Sequence, residues 1–147
     1  MRGLAIRPQP LQSAAGVASA ADIGLRPKNG AHRIATILVV EDDILTRMAA
    51  AQHLRGGGYR VLEAADGEEA RTLLRASEPI EVVFSDINMP GMDGLMLARW
   101  IAKEFPDVQI VLTSGDPRNA AMARAAAHFL EKPYDLDTLG RLIKQLV

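Results

Sequence analysis

The sequence predicts an α/β fold, a doubly wound parallel sheet of five strands, on three observations. Between Ile34 and Val147, strand-like apolar runs alternate with stretches of helical period five times over. The first run, Thr36-Ile37-Leu38-Val39-Val40, is β-branched or apolar at every position, as a strand covered on both faces is. Four of the five runs end abruptly on a reactive polar side chain. In a parallel sheet those ends share one rim, and ligands bind there.

Taken in order, the first strand ends on Glu41-Asp42-Asp43. A helix follows to Arg55, with Leu45, Met48, Ala49, Gln52 and His53 at helical spacing, and Gly56-Gly57-Gly58 stops it. No Lys-Ser/Thr follows those glycines, so they are a turn and not a phosphate loop. Tyr59 to Ala64 is a short second strand. Asp66 then caps a helix running through Arg75, with Glu69 completing a capping-box pattern. Glu81 to Ser85 is the third strand, and Asp86 follows it. Met89-Pro90-Gly91 shapes the next loop, and Asp93-Gly94 opens a helix to Phe105 with Leu95, Leu97, Ala98 and Ile101 inward. Val108 to Leu112 is the fourth strand, ending on Thr113-Ser114-Gly115-Asp116. A short Ala-rich helix follows Pro117. His128 to Glu131 is the fifth strand, ending on Lys132-Pro133. Asp135 caps a last helix in which Leu136, Leu139, Leu142, Ile143 and Leu146 repeat at helical intervals.

Composition narrows the function classes. Residues 1–33 are rich in Ala, Pro, Gly, Ser and Gln without periodicity, and are expected to form a disordered N-terminal extension. They carry five basic residues and one acid, Asp22, for +4; from Ile34 onward, 12 basic residues face 17 acids, for −5. A domain at −5 is a poor match for a phosphate backbone, so direct nucleic-acid binding is not expected. Cysteine is absent, and His32, His53 and His128 show no ligand spacing. No apolar run approaches the roughly 18 residues of a membrane span. The expected location is the cytoplasm. The chain ends directly after the fifth helix, so a stand-alone domain over residues 34–147 is expected.

The chemistry gathers at the strand ends: Glu41-Asp42 on the first, Asp86 on the third, Thr113 on the fourth, Lys132 on the fifth. A single carboxylate after a strand is ordinarily a solvated loop residue or a cap. Several on one rim repel one another unless a cation neutralises them. Mg²⁺ fits, because it takes one or two carboxylates and keeps waters or phosphate oxygens otherwise. A lysine and a hydroxyl beside it would receive a second anionic group. That combination with a carboxylate nucleophile is a phosphoryl-transfer site.

At these residues the sequence resembles the receiver domains of two-component response regulators. The resemblance runs through Ile37-Leu38-Val39-Val40-Glu41-Asp42-Asp43, Ser85-Asp86-Ile87-Asn88-Met89-Pro90-Gly91-Met92-Asp93-Gly94, Leu112-Thr113-Ser114-Gly115 and Phe129-Leu130-Glu131-Lys132-Pro133. It implies a flavodoxin-like sheet in strand order 2-1-3-4-5. It implies that Asp86 accepts a phosphoryl group from a phosphohistidine on a histidine kinase or histidine phosphotransfer protein. Asp42, Asp86 and the backbone carbonyl of Asn88 would hold Mg²⁺, with Mn²⁺ as a substitute and Glu41 acting directly or through water. Lys132 would pair with Asp86 and then with the phosphoryl group. Thr113 would turn inward, and Phe129, at the aromatic switch position, would follow. Asn88 and Gly115 stand where the lifetime of the acyl phosphate is tuned. Gly115 has no side chain to shield or orient water, so Asn88 is expected to dominate.

Two departures concern the region after the fourth strand. Thr113 and Lys132 are only 132 − 113 = 19 residues apart, which shortens the fourth helix or its loops. Ala125-Ala126 stands where the family carries Gly-Ala, removing a comfortable left-handed helix stop. The expected product is a self-phosphorylating, self-dephosphorylating module and not a turnover enzyme. It would signal to an unidentified protein through phosphorylation-dependent contacts, with a homodimer among the options. The competing readings are a Mg²⁺-dependent hydrolase of the haloacid dehalogenase type and a phosphate sink or scaffold. The hydrolase would need a second Asp where Asn88 stands, and an amide cannot do that acid–base work.

Overall fold

β1 (Thr36–Val40), α1 (Ile44–Gly56), β2 (Arg60–Ala64), α2 (Gly67–Ala76), β3 (Val82–Asp86), α3 (Gly94–Glu104), β4 (Gln109–Ser114), α4 (Ala120–Ala126), β5 (His128–Glu131) and α5 (Leu136–Leu146) follow one another, with a 3-10 turn at Pro117–Asn119 before α4. This computed structural model describes residues 33–147 apart from Ser77. The extension expected over residues 1–33 lies outside the described residues except for Arg33. Ile34–Val147 form one compact unit.

The sheet is parallel in the order β2-β1-β3-β4-β5, the doubly wound arrangement that the alternation of elements predicts. The order reverses between β1 and β3, and in open α/β sheets that switch point is where a crevice forms. β1, β3 and β4 are buried almost throughout, which explains why their runs do not alternate. On one face, Leu38, Val40, Val83 and Leu112 pack with Leu74 of α2, Leu97 and Ile101 of α3, and Ala123 of α4. On the other, Ile37, Val39, Phe84 and Val111 pack with Ala50, Ala51 and Leu54 of α1 and Leu139 and Ile143 of α5. Each fully buried Leu or Ile contributes about 1.5–3 kcal/mol relative to exposure.

The helix starts are set by side-chain caps. Asp43, Asp93 and Asp135 accept from the backbone N–H of Thr46, Met96 and Thr138 at 2.8, 2.8 and 2.7 Å. Each satisfies an orphan donor of a first turn. Asp66 accepts from Glu69 N (2.8 Å), while Glu69 reaches back to Ala65 N (2.7 Å), one residue earlier than the reciprocal partner of a standard capping box.

The structure assigns the inward face of α1, which the spacing alone left open, and shifts two strand ends. Leu45 and Met48 of α1 lie at helical spacing but face solvent, 73% and 41% exposed. The stripe facing the sheet is Ala50, Ala51 and Leu54, because small side chains let the helix backbone sit close to β1. The ends of β3 and β4 also move. β3 includes Asp86, and β4 runs two residues past Leu112 to include Thr113 and Ser114.

α4 is short, with 7 residues, as the spacing after Thr113 requires. It ends through Ala127 in an extended conformation (φ −166°, ψ −179°). The helix stop uses no left-handed residue, which is why alanine serves at position 125.

Candidate functional site

The sheet register builds the site. Asp86 and Thr113 are direct partners across the parallel β3–β4 ladder. Thr113 in turn pairs with Leu130 on β5, which delivers Lys132 two residues later. Ile87 N donates to Thr113 O (2.9 Å) and Lys132 N to Ser114 O (3.0 Å), tying the rim together just past the strand ends.

Lys132 Nζ lies 3.3 Å from Glu41 Oε1 and 3.4 Å from Asp86 Oδ1. Glu41 and Asp86 are buried and Asp42 is exposed. One oxygen of each of the three carboxylates lies within 4.8 Å of the others. Burial, and then the charge of Asp86, push the Glu41 carboxyl above its ordinary 4.5, against opposing pulls from the Asp43 N–H and Lys132. For Lys132, burial pulls the ammonium down, but the charges of Asp86 and Glu41 outweigh it and raise it above 10.5. Tyr134 is pushed up to about 12 by burial and by the same two carboxylates. One ammonium does not neutralise three acids. The mutually repelling oxygen donors therefore fit a hard divalent cation such as Mg²⁺.

The loop after β1 is braced from outside. Arg47 Nη1 donates to Glu41 O (2.8 Å), while Arg47 Nε pairs with Glu63 Oε1 (3.3 Å). Asp43 N donates to Glu41 Oε2 (3.2 Å). Asp43 itself is held below the usual carboxylate range by hydrogen bonds from the Thr46 hydroxyl and N–H, so it is a cap and not part of the acid cluster. Asp93 caps α3, and Asp116 is held low by Arg118 beside it.

The remaining sequence candidates occupy the rim in different ways. The Thr113 hydroxyl is buried and has no hydrogen-bond partner among the described residues. Buried hydroxyls are almost always paired, so this one is left free next to Asp86. Phe129 is half-buried on β5, with the Arg124 guanidinium 4.9 Å from its ring centroid. Gly115 is exposed, and a Cβ there would meet Lys132 Cβ at an ordinary 3.6 Å. Asn88 is exposed after β3, with its side chain bonded to Ser114 and Asn119. Sequence reasoning missed Ser114, Asn119, Tyr134 and Arg47. Ser114 lies within a recognised motif, where it was given no role, and Tyr134 adjoins one, whereas nothing local marks Asn119.

A cavity of about 710 Å³ opens beside Lys132, lined by Leu45, Thr46 and Ala49 of α1 together with Gly115, Pro133, Tyr134 and Leu136. The exposed Ile44, Leu45 and Met48 of α1 adjoin it. Among the described residues no helix is long and apolar enough to cross a membrane.

A family model described as the response regulator receiver domain matches residues 37–144. Sensor kinase CckA of Brucella abortus is 36% identical over 118 residues, which are 77% of this chain and 12% of CckA. Response regulator FleR of Pseudomonas aeruginosa is 36% identical over 113 residues, 74% of this chain and 24% of FleR. The chain thus spans a quarter or less of either relative. The crystal structure of response regulator TrrA of Thermotoga maritima, in complex with Mg²⁺-BeF, matches with a TM-score of 0.72 at 30% identity, over 78% of this chain and 100% of TrrA. These likenesses favour the receiver reading over the hydrolase reading. By its match over residues 37–144, the chain belongs to the response regulator receiver domains of two-component signalling.

Proposed function

We propose that the chain takes a phosphoryl group from a phosphohistidine onto Asp86 and signals through the change this causes at the β4–β5 rim. The observation that carries the reading is the buried Asp86 carboxylate, paired with Lys132 at 3.4 Å and lying across the ladder from the unpaired Thr113 hydroxyl. In the transfer, an Asp86 carboxylate oxygen bonds to phosphorus as the nitrogen–phosphorus bond of the donor breaks, and that electron pair returns to the imidazole. Lys132 offsets the charge gathered at the phosphoryl oxygens. The Thr113 hydroxyl is the free donor that an added oxygen would satisfy. With Thr113 drawn toward the phosphoryl group, the space it leaves is the one Phe129 would enter. Glu41, Asp42 and Asp86, with the Asn88 carbonyl, would hold Mg²⁺ or Mn²⁺, which supplies further charge neutralisation when bound. The protein would act as a phosphoacceptor that hydrolyses its own acyl phosphate, not as a turnover enzyme.

A cation-dependent increment of stability is expected from the acid cluster. The folded pKa of Glu41 is raised, so its contribution to stability is full below 4.5 and is lost as pH rises through the folded value. At neutral pH the ionised Glu41 carboxylate therefore counts against the fold, and a bound cation would offset that cost. Mg²⁺ at ten times its Kd is expected to stabilise the protein by about 1.4 kcal/mol, or roughly 5 °C in Tm. The shift should shrink as pH falls toward 4.5. Calorimetry that found no Mg²⁺-dependent shift at neutral pH would contradict the cation site.

The partner is expected to be a histidine kinase or a histidine phosphotransfer protein, docking on the apolar surface of Ile44, Leu45 and Met48 beside Lys132. Leu45→Asp should slow transfer from phosphorylated histidine phosphotransfer domains by about tenfold or more. Labelling by acetyl phosphate, which needs no docking, should stay unchanged. Leu45 is largely exposed, so the fold should tolerate the substitution. Equal slowing with both donors would contradict the assignment of this surface.

A further inference from the structure

Three side chains, Ser114 from the end of β4 and Asn88 and Asn119 from the segments after β3 and β4, meet beside Asp86. Asn88, two residues past Asp86, donates from Nδ2 to Ser114 Oγ (3.3 Å). Asn119 Nδ2 donates to Asn88 Oδ1 (3.3 Å) and to Ser114 Oγ (3.1 Å). The Asn88 amide is thus held at both ends. Ser114 is fully buried and follows Thr113 in β4, and its Oγ also lies 3.0 Å from Asp116 N, so three N–H donors share the two lone pairs of one hydroxyl oxygen. The triangle is therefore anchored to the sheet.

Asn119 has helical backbone angles (φ −86°, ψ −15°) and closes the 3-10 turn that Asp116 caps through Arg118 N, so its side chain makes no cap hydrogen bond and is free for this triangle. Its amide crosses the loop instead. The 3-10 turn Pro117–Asn119, within the shortened stretch between Thr113 and Lys132, carries it there.

We propose that Asn119 is a positioning residue for Asn88: with Ser114, it holds the Asn88 amide so that it cannot turn to orient a water at the acyl phosphate of Asp86. The inference rests on the phosphoacceptor reading. In the hydrolysis it restrains, a water oxygen bonds to phosphorus and the bond from phosphorus to the Asp86 oxygen breaks. That electron pair returns to the carboxylate, and the water protons leave with inorganic phosphate and solvent. An amide free to rotate would hold the attacking water in line; an amide bonded at each end does not. The shortened β4–β5 connection then lengthens the life of the phosphorylated state, a role that the side-chain-free Gly115 cannot fill.

The test labels the full chain with acetyl phosphate and Mg²⁺, removes the donor, and follows decay of the adduct by intact mass. Asn119→Ala should shorten the lifetime by about three- to tenfold, the rate equivalent of one net hydrogen bond. Asn119→Asp has the same size but no Nδ2 donor, and should do the same. Because Asn119 caps nothing, neither variant should melt α4. The Asn88→Ala/Asn119→Ala double variant should decay like Asn88→Ala alone, since Asn119 acts only through Asn88. An unchanged or longer lifetime in both single variants overturns the inference, as does an additive double variant. Failure of the wild type to label at all would overturn the phosphoacceptor reading, and this inference with it.

Discussion

Gly94→Ala is expected to destabilise the protein by about 3 kcal/mol, a fall of roughly 10 °C in Tm. Gly94 opens α3, and its N–H donates to Ile87 O (2.9 Å). A Cβ built there would lie 2.3 Å from the Asp86 carbonyl oxygen and 2.8 Å from Ile87 Cα. Both obstacles are backbone, so no side chain can swing away. The helix start and the end of β3 would have to part, and packed interiors resist such shifts. Alanine has the higher helix propensity, so a loss of stability here can only be steric. Gly115→Ala is the control. Its Cβ would make an ordinary 3.6 Å contact at an exposed position, and its effect should stay within about 0.5 kcal/mol. Thermal unfolding of both variants checks the pair. A Gly94→Ala protein as stable as wild type would contradict the close approach of α3 to the strand that carries Asp86.

That contact also shows which parts of the fold were readable in the sequence. Thr36–Val40 is legible because all five residues are buried and each is β-branched or apolar, whereas His128–Glu131 carries only the half-buried Phe129 and Leu130 between exposed ends. The helix starts are legible because Asp43, Asp93 and Asp135 satisfy first-turn donors by local geometry alone. The inward face of α1 is not. Leu45 and Met48 outweigh Ala50 and Ala51 in hydrophobicity, yet the alanines are the residues that fit against β1. Bulk belongs to the surface beside Lys132, where a partner is proposed to supply the missing burial.

The site divides in the same way. Glu41, Asp86, Thr113 and Lys132 each follow or end an apolar run, so parallel pairing alone brings them to one rim. The Asn88–Ser114–Asn119 triangle leaves no such trace. Its members are 26 and 31 residues apart across two loops, and Asn119 at the start of a short helix reads as a cap. Only the conformation of the shortened segment shows that its amide is used elsewhere. The unpaired Thr113 hydroxyl was likewise out of reach, because pairing depends on neighbours from other strands.

The largest functional effect is expected at Asp86. Its alternatives as phosphoacceptor are each spoken for. Asp43 and Asp93 are bound into helix caps. Glu41 accepts from the Asp43 N–H through one oxygen and from Lys132 through the other. Asp42 is exposed and makes no ion pair with Lys132 at the distances that Glu41 and Asp86 do. Among the described residues, only Asp86 joins burial, a lysine partner and a ladder partner with an unpaired hydroxyl. Its conversion to alanine should remove phosphoryl uptake altogether, not merely slow it, because the atom that forms the new bond is gone. Intact mass after incubation with acetyl phosphate and Mg²⁺ tests this most directly. One added phosphoryl group is expected on the wild type and none on Asp86→Ala. Equal labelling of the two proteins, or an unlabelled wild type under conditions that label other receiver domains, would contradict it.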